Sequence, residues 1–281
     1  MKKIKIVTDS TCYLSDEIVK KYDIKIAPLY VRFGDDMFRE RADIKDEDFY
    51  KRIRKGELPD TTQPAATDFI AVYKPLIEEG YSIISPLISS ELSGAVNAAN
   101  AAKKSLGDPD IHIFDAKFTS LGLGYQIMEI AERLYDQGMT KDEVIQEMPS
   151  IRDRMYNFFV VGDLYFLARL GRIKKAEAVL GSMVKTKPLL YMRDGAIDTL
   201  EKPRTMKKAK ARMIEITKQI IAEKGLKHMS IIWGDNREEA KEYRDVCAKE
   251  FNKEVSMTRL GPVIASHTGP NILSLQFSTE R

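Results

Sequence analysis

Residues 4–11 read IKIVTDST, a short apolar run that ends in hydroxyl and acidic side chains. The same pattern recurs at residues 82–94, SIISPLISSELSG, and at residues 111–124, IHIFDAKFTSLGLG. Short apolar runs that alternate with longer helical segments are typical of a parallel α/β sheet, in which ligands bind at the carboxyl ends of the strands. The three runs therefore predict parallel strands with a polar site at their ends.

The second half of the chain follows a different pattern. Residues 188–202 contain two apolar runs on either side of Arg193, and the Asp-Gly pair that follows predicts a β-hairpin because it accepts positive φ angles. We therefore predict an α/β protein of two domains. The N-terminal domain, residues 1–154, is expected to hold a Rossmann-like parallel sheet. The C-terminal domain, residues 155–281, is expected to hold a mixed or antiparallel sheet, with a ligand cleft between the domains.

Local signals predict the individual elements. Strands are expected at residues 4–8, 24–31, 82–88, 111–114, 158–162, 229–233, 255–260 and 271–277. Helices are expected to begin at the capping side chains Ser15, Thr67, Ser93, Thr140 and Thr205, with short helices at residues 164–171 and 174–183. The highly charged residues 32–60 are predicted to form a surface excursion with one helix at residues 46–56.

The composition limits the classes of function. With 45 basic and 42 acidic residues interspersed along the chain, the net charge is +3, and no polybasic stripe points to nucleic acid or an anionic membrane. Cys12 and Cys247 have neither disulfide-framework nor zinc-site spacing. Neither a signal peptide nor a run of ~18 apolar residues is recognisable. We expect a soluble, cytoplasmic protein without stable membrane insertion.

Polar residues near the predicted strand ends are candidates for a binding site. Ser93 and Gly94 stand where a strand passes into a helix, so a hydroxyl group and backbone N–H groups can converge on an anion, although an ordinary N-cap explains the same pattern. Thr61 and Thr62 precede a Gln-Pro turn and can equally be turn formers. His267 lies in a polar loop between two predicted strands, where a histidine is either functional or structural.

The motifs of common enzyme classes are incomplete. A serine hydrolase built on Ser93 and His267 would need a GxSxG-like turn and an acid that orients the histidine, and neither is evident. The chain lacks GxxxxGK[ST], and the GLG at residues 122–124 lacks the third glycine of a dinucleotide-binding loop. No second histidine stands at metal-ligand spacing from His267, so neither a metal nor a cofactor is expected.

Three arginines also allow two interpretations. Arg169 and Arg172 flank the glycine at the end of a short apolar stretch, and Arg204 follows the predicted hairpin. They are either solvated and capping residues, or one or two of them face an anionic group on a ligand or partner, where a guanidinium supplies bidentate donors.

Seven short motifs follow one another from the start of the chain to near its end. They are IVTDST (6–11), TTQPA (61–65), ISSELSGAVNAA (88–99), DAKFTSLGLG (115–124), LYFLARLGRI (164–173), KPRT (202–205) and GPVIASHTGP (261–270). Each motif alone is unspecific, but the ordered set resembles the DegV family of bacterial fatty-acid-binding proteins.

The resemblance implies two α/β domains with a long-chain fatty acid between them, its tail in an apolar tunnel and its carboxylate held by hydroxyl groups. Thr61 and Ser93 would bind the carboxylate. The vicinity of the head group would comprise Thr62, Gly94, Arg204, His267 and Thr268. Some family members present the bound acid to a separate fatty acid kinase, which forms an acyl phosphate. The implied function is a lipid-binding carrier in lipid transport or fatty acid metabolism, with catalysis on the partner kinase.

Three positions depart from the usual family motifs. Ala65 and Ala116 stand where serine is common, and Asn271 replaces a glycine after HTGP. The two alanines remove hydroxyl groups near the head-group loops, whereas Thr61 and Ser93 keep theirs.

Two other functions stay open from the sequence: an acyl-ester hydrolase that uses Ser93 and His267, and a binder of another small carboxylate. A buried carboxylate stays ionised only if it is paired or hydrogen-bonded. Two hydroxyl groups, a helix N-terminus and an imidazole can supply those hydrogen bonds, so the carrier is the favoured function.

Overall fold

The computed structural model of the chain describes residues 3–173 and 186–281. The chain divides into two compact units, one of Met1–Ile44 and Thr61–Asp153 and the other of Lys45–Asp60 and Arg154–Arg281. Residues 45–60, predicted to belong to the N-terminal domain, group instead with the second unit. The short helix predicted at residues 174–183 lies outside the described residues.

The first unit is built around a parallel sheet. The strands of the N-terminal half are β1 (Ile4–Asp9), β2 (Lys25–Ala27), β3 (Tyr30–Phe33), β4 (Asp36–Arg39), β5 (Asp60–Thr62), β6 (Ser82–Leu87) and β7 (Ile111–Asp115). Four of them form a parallel sheet in the order β2-β1-β6-β7, which confirms the fold predicted for this half. All residues of β6 are buried, as is typical of a parallel strand that is covered on both faces. The carboxyl ends of β1, β6 and β7 therefore lie side by side.

A second, three-stranded sheet was not predicted. It has the order β4-β3-β5, and β3 pairs antiparallel with β4. The single strand expected at residues 24–31 is wrong, because β2 and β3 are separated by Pro28 and Leu29. Proline has no N–H group to donate to a neighbouring strand, so it interrupts the ladder.

Helices lie between many of the strands along the chain. In the described residues they are α1 (Asp16–Lys21), α2 (Asp46–Arg54), α3 (Ala66–Glu78), α4 (Ala95–Ser105), α5 (Ser120–Ala131), α6 (Lys141–Arg152), α7 (Tyr165–Arg169), α8 (Met206–Lys224), α9 (Arg237–Phe251) and α10 (Pro262–Thr268). The caps predicted at Ser15, Thr140 and Thr205 are confirmed, since each side chain accepts a hydrogen bond from a backbone N–H of the first turn.

Two predicted caps are displaced. Thr67 lies inside the first turn of α3, because the Asp68 carboxylate accepts the N–H of Ala65 at 2.7 Å and the helix begins at Ala66. Ser93 precedes the N-cap residue Gly94 of α4, although its hydroxyl oxygen still accepts the N–H of the first helical residue at 3.2 Å.

The second unit contains a six-stranded mixed sheet. Its strands are β8 (Met155–Val161), β9 (Leu189–Arg193), β10 (Ala196–Glu201), β11 (His228–Trp233), β12 (Ser256–Arg259) and β13 (Ile272–Ser278). Their order is β10-β9-β8-β13-β11-β12, and only the β11–β12 pair is parallel. The predicted hairpin is confirmed, with φ angles of 51° at Asp194 and 88° at Gly195. The predicted fold class, α/β with a parallel and a mixed sheet, is thus confirmed.

The charged segment at residues 45–60 is more than a surface excursion. Phe49 and Tyr50 of α2 are fully buried. Within the second unit the Tyr50 hydroxyl donates to the carbonyl oxygen of Leu260 at 2.9 Å, and the Arg54 guanidinium pairs with the Asp235 carboxylate. These contacts, distant in sequence, explain why the segment groups with the C-terminal residues.

The loop predicted around His267 is also wrong, since residues 262–268 form α10. Pro262 occupies the first helical position, where its missing N–H costs nothing, and Gly269 follows the helix with a φ of 75°. The helix is only 7 residues long, too short to show helical periodicity in the sequence.

Candidate functional site

The loops that carry Thr61 and Ser93 meet in the first unit. A Cβ atom at Gly94 would lie 2.3 Å from Oε1 and 2.8 Å from Cδ of Gln63. Glycine at this position therefore lets the Gln63 amide lie directly against the loop between β6 and α4. Because Gln63 follows Thr61 by two positions and Gly94 follows Ser93, the TTQPA and LSG motifs are neighbours in space. No local signal in the sequence pointed to a role for Gln63.

The Ser93 side chain is placed to act as a hydrogen-bond donor. Its hydroxyl oxygen accepts the N–H of Ala95 at 3.2 Å, and its own N–H is used by the carbonyl oxygen of Ser89 at 3.0 Å. A hydroxyl group that accepts one hydrogen bond can still donate its own proton. Ser93 is half-buried at the start of α4, where the helix N-terminus favours negative charge.

The two threonines of TTQPA differ in exposure. Thr61 is half-buried and Thr62 is exposed, both at the end of β5. Thr61 is therefore the better placed of the two to hold a group that is removed from water. Gly94 is half-buried as well.

Two carboxylates hold the loop that contains Ser93. Asp9, at the end of β1, is fully buried, and its oxygens accept the N–H of Thr11 at 3.0 Å, the Thr11 hydroxyl at 2.6 Å and the N–H of Ile88 at 2.7 Å. Burial raises the pKa of Asp9, and the hydrogen bonds from Ile88 and Thr11 oppose this rise. Asp115, at the end of β7, accepts the N–H of Ser90 at 3.3 Å and also its hydroxyl.

Both acids belong to the motifs of the family resemblance, but their roles could not be read from the sequence. An acid at the end of a strand is common, and only the order β1-β6-β7 places Asp9 and Asp115 on either side of the loop that follows β6.

In the second unit, His267 lies near the end of α10. Burial lowers the pKa of its imidazole from the ordinary value of 6.5 to about 4; Arg172 and Arg169 lower the pKa as well, while Asp60 raises it. The imidazole is therefore neutral at pH 7. A neutral imidazole can donate or accept a hydrogen bond but does not supply a positive charge for an ion pair.

Thr268 is buried, and its hydroxyl lies 3.3 Å from the carbonyl oxygen of Ile264, to which it donates as part of the helix. The turn after it packs closely on α7, because a Cβ atom at Gly269 would lie 2.6 Å from the ring of Phe166. The LYFLARLGRI and GPVIASHTGP motifs are thus neighbours within the second unit.

The three arginines have different surroundings. The half-buried Arg169 donates to the carbonyl oxygen of Pro59, and Arg172 donates to that of Leu170 at 2.8 Å. These contacts fit the structural interpretation of both residues. Arg204 is exposed in the turn between β10 and α8, and it is not among the charged residues that shift the pKa of His267.

Several kinds of chemistry find no support in the described residues. Burial raises the pKa of both Cys12 and Cys247 to about 12, so neither is a thiolate nucleophile at neutral pH. An imidazole with a pKa near 4 is a weak general base for a serine hydrolase. Across residues 3–173 and 186–281, no cluster of three His, Cys, Asp or Glu side chains is arranged to hold a metal ion. Over the same residues, no helix is both long and apolar enough to span a membrane.

Comparison with known proteins identifies the family. A family model described as "Uncharacterised protein, DegV family" matches residues 3–280. Protein DegV of Bacillus subtilis is 33% identical over 275 residues, which cover 97% of this chain and 98% of that protein.

Solved structures agree with this assignment. The crystal structure of DegV from Bacillus subtilis, described as a fatty acid binding protein, aligns with a TM-score of 0.89 and 31% identity over 99% of this chain and 100% of that one. A stearic acid-binding protein from Eubacterium ventriosum aligns with a TM-score of 0.90 and 26% identity over 99% of this chain and 98% of the other. The chain belongs to the DegV family.

Proposed function

We propose that this protein binds a long-chain fatty acid and acts as its carrier, with the Thr61 and Ser93 hydroxyl groups as donors to the carboxylate. The observation that carries the proposal is the contact of Gln63 with Gly94, which makes neighbours of the two motifs that hold these hydroxyl groups. The solved relatives are described as a fatty acid binding protein and a stearic acid-binding protein, which supports the same ligand class.

The physical chemistry of a fatty acid gives different roles to its carboxylate and its tail. Its carboxylate must exchange hydrogen bonds with water for hydrogen bonds with protein, and hydroxyl groups provide them without a permanent counter-charge. Its tail gains roughly 0.8 kcal/mol for each CH₂ group that leaves water. The tail therefore provides most of the affinity, and the head group fixes the orientation of the ligand.

The proposed vicinity of the head group further includes Thr62, Gly94, Arg204, His267 and Thr268. The exposure of Arg204 and the internal hydrogen bond of Thr268 make these two the weaker members of the set. The low pKa of His267 supports a neutral hydrogen-bonding role for its imidazole.

The acyl-ester hydrolase, which would use Ser93 and His267, is disfavoured. Its general base would have to be His267, and the pKa of this imidazole is far below the pH at which it would have to accept a proton. We therefore place catalysis on a partner: the carrier presents the acid to a separate fatty acid kinase, which forms the acyl phosphate.

A binding titration tests this proposal. Protein stripped of lipid is titrated with palmitate by calorimetry, and Ser93→Ala, Thr61→Val and the double variant are compared with Thr67→Val, an exposed threonine in the same unit. We expect stoichiometric binding in the native protein and in Thr67→Val, and about tenfold weaker binding for each site variant, the usual effect of one lost hydrogen bond to a charged group. Native affinity in the double variant would exclude this carboxylate site.

The kinase step has its own test. The loaded protein is incubated with ATP and a purified fatty acid kinase, and acyl phosphate is trapped with hydroxylamine. Formation of the hydroxamate only when carrier and kinase are both present is expected. Hydroxamate from the loaded carrier and ATP alone would contradict the assignment of catalysis to the partner.

A further inference from the structure

The loop from Ile88 to Gly94 is held by hydrogen bonds that converge on its first two residues. The N–H of Ile88 donates to Asp9 at 2.7 Å, and the N–H of Ser89 donates to the carbonyl oxygen of Phe118 at 3.0 Å. The carbonyl oxygen of Ser89 in turn accepts the N–H of Ser93 at 3.0 Å. The position of Ser93 is thus connected to Asp9 through one short turn.

Of the two carboxylates that hold this loop, Asp9 forms the stronger hydrogen bond to it. It is fully buried, whereas the contact of Asp115 with Ser90 is exposed to water. A hydrogen bond to a carboxylate is stronger when solvent does not compete for it. Loss of the Asp9 contact should therefore loosen the loop more than loss of the Asp115 contact.

We propose that Asp9 is a positioning residue for the carboxylate site: it fixes the loop in the conformation in which the Ser93 hydroxyl meets the ligand. This inference rests on the proposed function, because it acts through Ser93. It adds a residue that does not touch the ligand and lies on a different strand.

The chemistry of an amide side chain gives a selective variant. In Asp9→Asn, a single amide oxygen replaces two carboxylate oxygens. Thr11 supplies two donors, its N–H and its hydroxyl, so the amide oxygen is expected to face Thr11. The NH₂ group then faces the N–H of Ile88, two donors oppose each other, and the connection to the loop is lost.

Two other variants serve as matched controls. Thr11→Val removes a hydroxyl donor from the same carboxylate but leaves the bond to Ile88 in place. Asp115→Asn leaves one oxygen for the N–H groups of Ser90 and Lys117, and its NH₂ group can donate to the Ser90 hydroxyl. Both controls change this region without breaking the Asp9–Ile88 bond.

Hydrogen exchange tests the loop without any ligand. In the lipid-free full-length protein, Asp9→Asn should speed exchange of the Ile88–Ser93 amides by about tenfold or more, while Thr11→Val and Asp115→Asn should not. Equal exchange in Asp9→Asn and the native protein would overturn the inference, whatever ligand the protein binds. If Asp9→Asn does not fold, the native protein is measured instead, and an Ile88 amide that exchanges at the rate of an unprotected amide overturns the inference.

A double-mutant cycle with Ser93→Ala tests the connection to binding. Palmitate affinity should fall about tenfold in Asp9→Asn and less than about twofold in the two controls. In the Ser93→Ala background, Asp9→Asn should cost no further affinity, a result that general destabilisation would not produce. Additive losses would overturn the inference while leaving the proposed function intact, whereas a native protein that binds no fatty acid would overturn both.

Discussion

Hydroxyl groups and an imidazole offer a carboxylate different kinds of contact at neutral pH. Thr61 and Ser93 can donate at any physiological pH, because their hydroxyl groups do not titrate. His267 would have to be protonated to pair with the ligand charge, and burial prevents this above a pH of about 4. At the residue scale, the candidate head-group site therefore depends on neutral donors.

The pH dependence of stability follows from His267. Its pKa is about 4 in the folded protein against 6.5 ordinarily, so the unfolded chain binds more protons between these values. The stabilising contribution of the neutral imidazole is complete above about pH 6.5 and is lost as the pH falls towards 4. We expect the unfolding free energy, measured in urea, to fall less between pH 7 and 5 in His267→Gln than in the native protein. An NMR titration of the His267 ring with a midpoint near 6.5 would contradict this.

The sequence suggests only part of the proposed site. Thr61, Ser93 and His267 are candidates because they occur in recognisable motifs, and their place at a carboxylate stays a prediction. Gln63 and Asp9 were missed as site residues because their contacts, with Gly94 and Ile88, depend on which strands are neighbours. Such contacts are set by the tertiary structure and leave no local pattern.

At the element scale, close packing of α5 positions the end of β1. A Cβ atom at Gly124 would lie 2.5 Å from the carbonyl oxygen of Cys12, in the 3₁₀ turn Ser10–Cys12 that follows Asp9. Glycine is thus required for this approach, even though it lies inside a helix.

Gly124→Ala tests this packing, because the direction of the change in unfolding free energy distinguishes a crowded position from an open one. In an open helix, this change stabilises by about 1 kcal/mol. Here the methyl group meets backbone, and we expect the free energy of unfolding to fall by about 1–3 kcal/mol, as for an overpacked core. Chemical denaturation measures the change, and an increase in stability would contradict the packing of α5 on this turn.

Element boundaries were predicted best where a side chain defines them. The caps at Ser15 and Thr140 and the turn at Asp194 each rely on local hydrogen bonds or φ angles. The strands at residues 30–39 and helix α10 were missed, because short elements with mixed polarity show no periodicity.

At the scale of the whole molecule, the chain passes from one unit to the other and back near residues 45–60. The Tyr50 hydroxyl bonds to Leu260, 210 positions away in sequence. A separation of this size explains why the sequence alone left the segment with the N-terminal domain. The four-stranded parallel sheet and the six-stranded mixed sheet, in contrast, were predictable from repeated strand and turn signals, whereas the three-stranded sheet was not.

A matched pair of tyrosine variants tests this grouping. Tyr50→Phe removes the donor to Leu260 in the second unit, and Tyr73→Phe removes the 2.7 Å hydrogen bond with Ser85 in the first. Each should cost about 1 kcal/mol. Hydrogen exchange should rise in residues 256–268 for Tyr50→Phe and in residues 66–87 for Tyr73→Phe. Faster exchange of residues 66–87 in Tyr50→Phe would contradict the assignment of α2 to the second unit.

The most direct test of the carrier function is the lipid that accompanies the purified protein. Solvent extraction and mass spectrometry are applied to the native protein, to Thr67→Val and to the Thr61→Val/Ser93→Ala double variant. We expect stoichiometric long-chain fatty acid in the first two proteins and depletion in the double variant. A native protein that contains no fatty acid and takes up none when it is added would contradict the account.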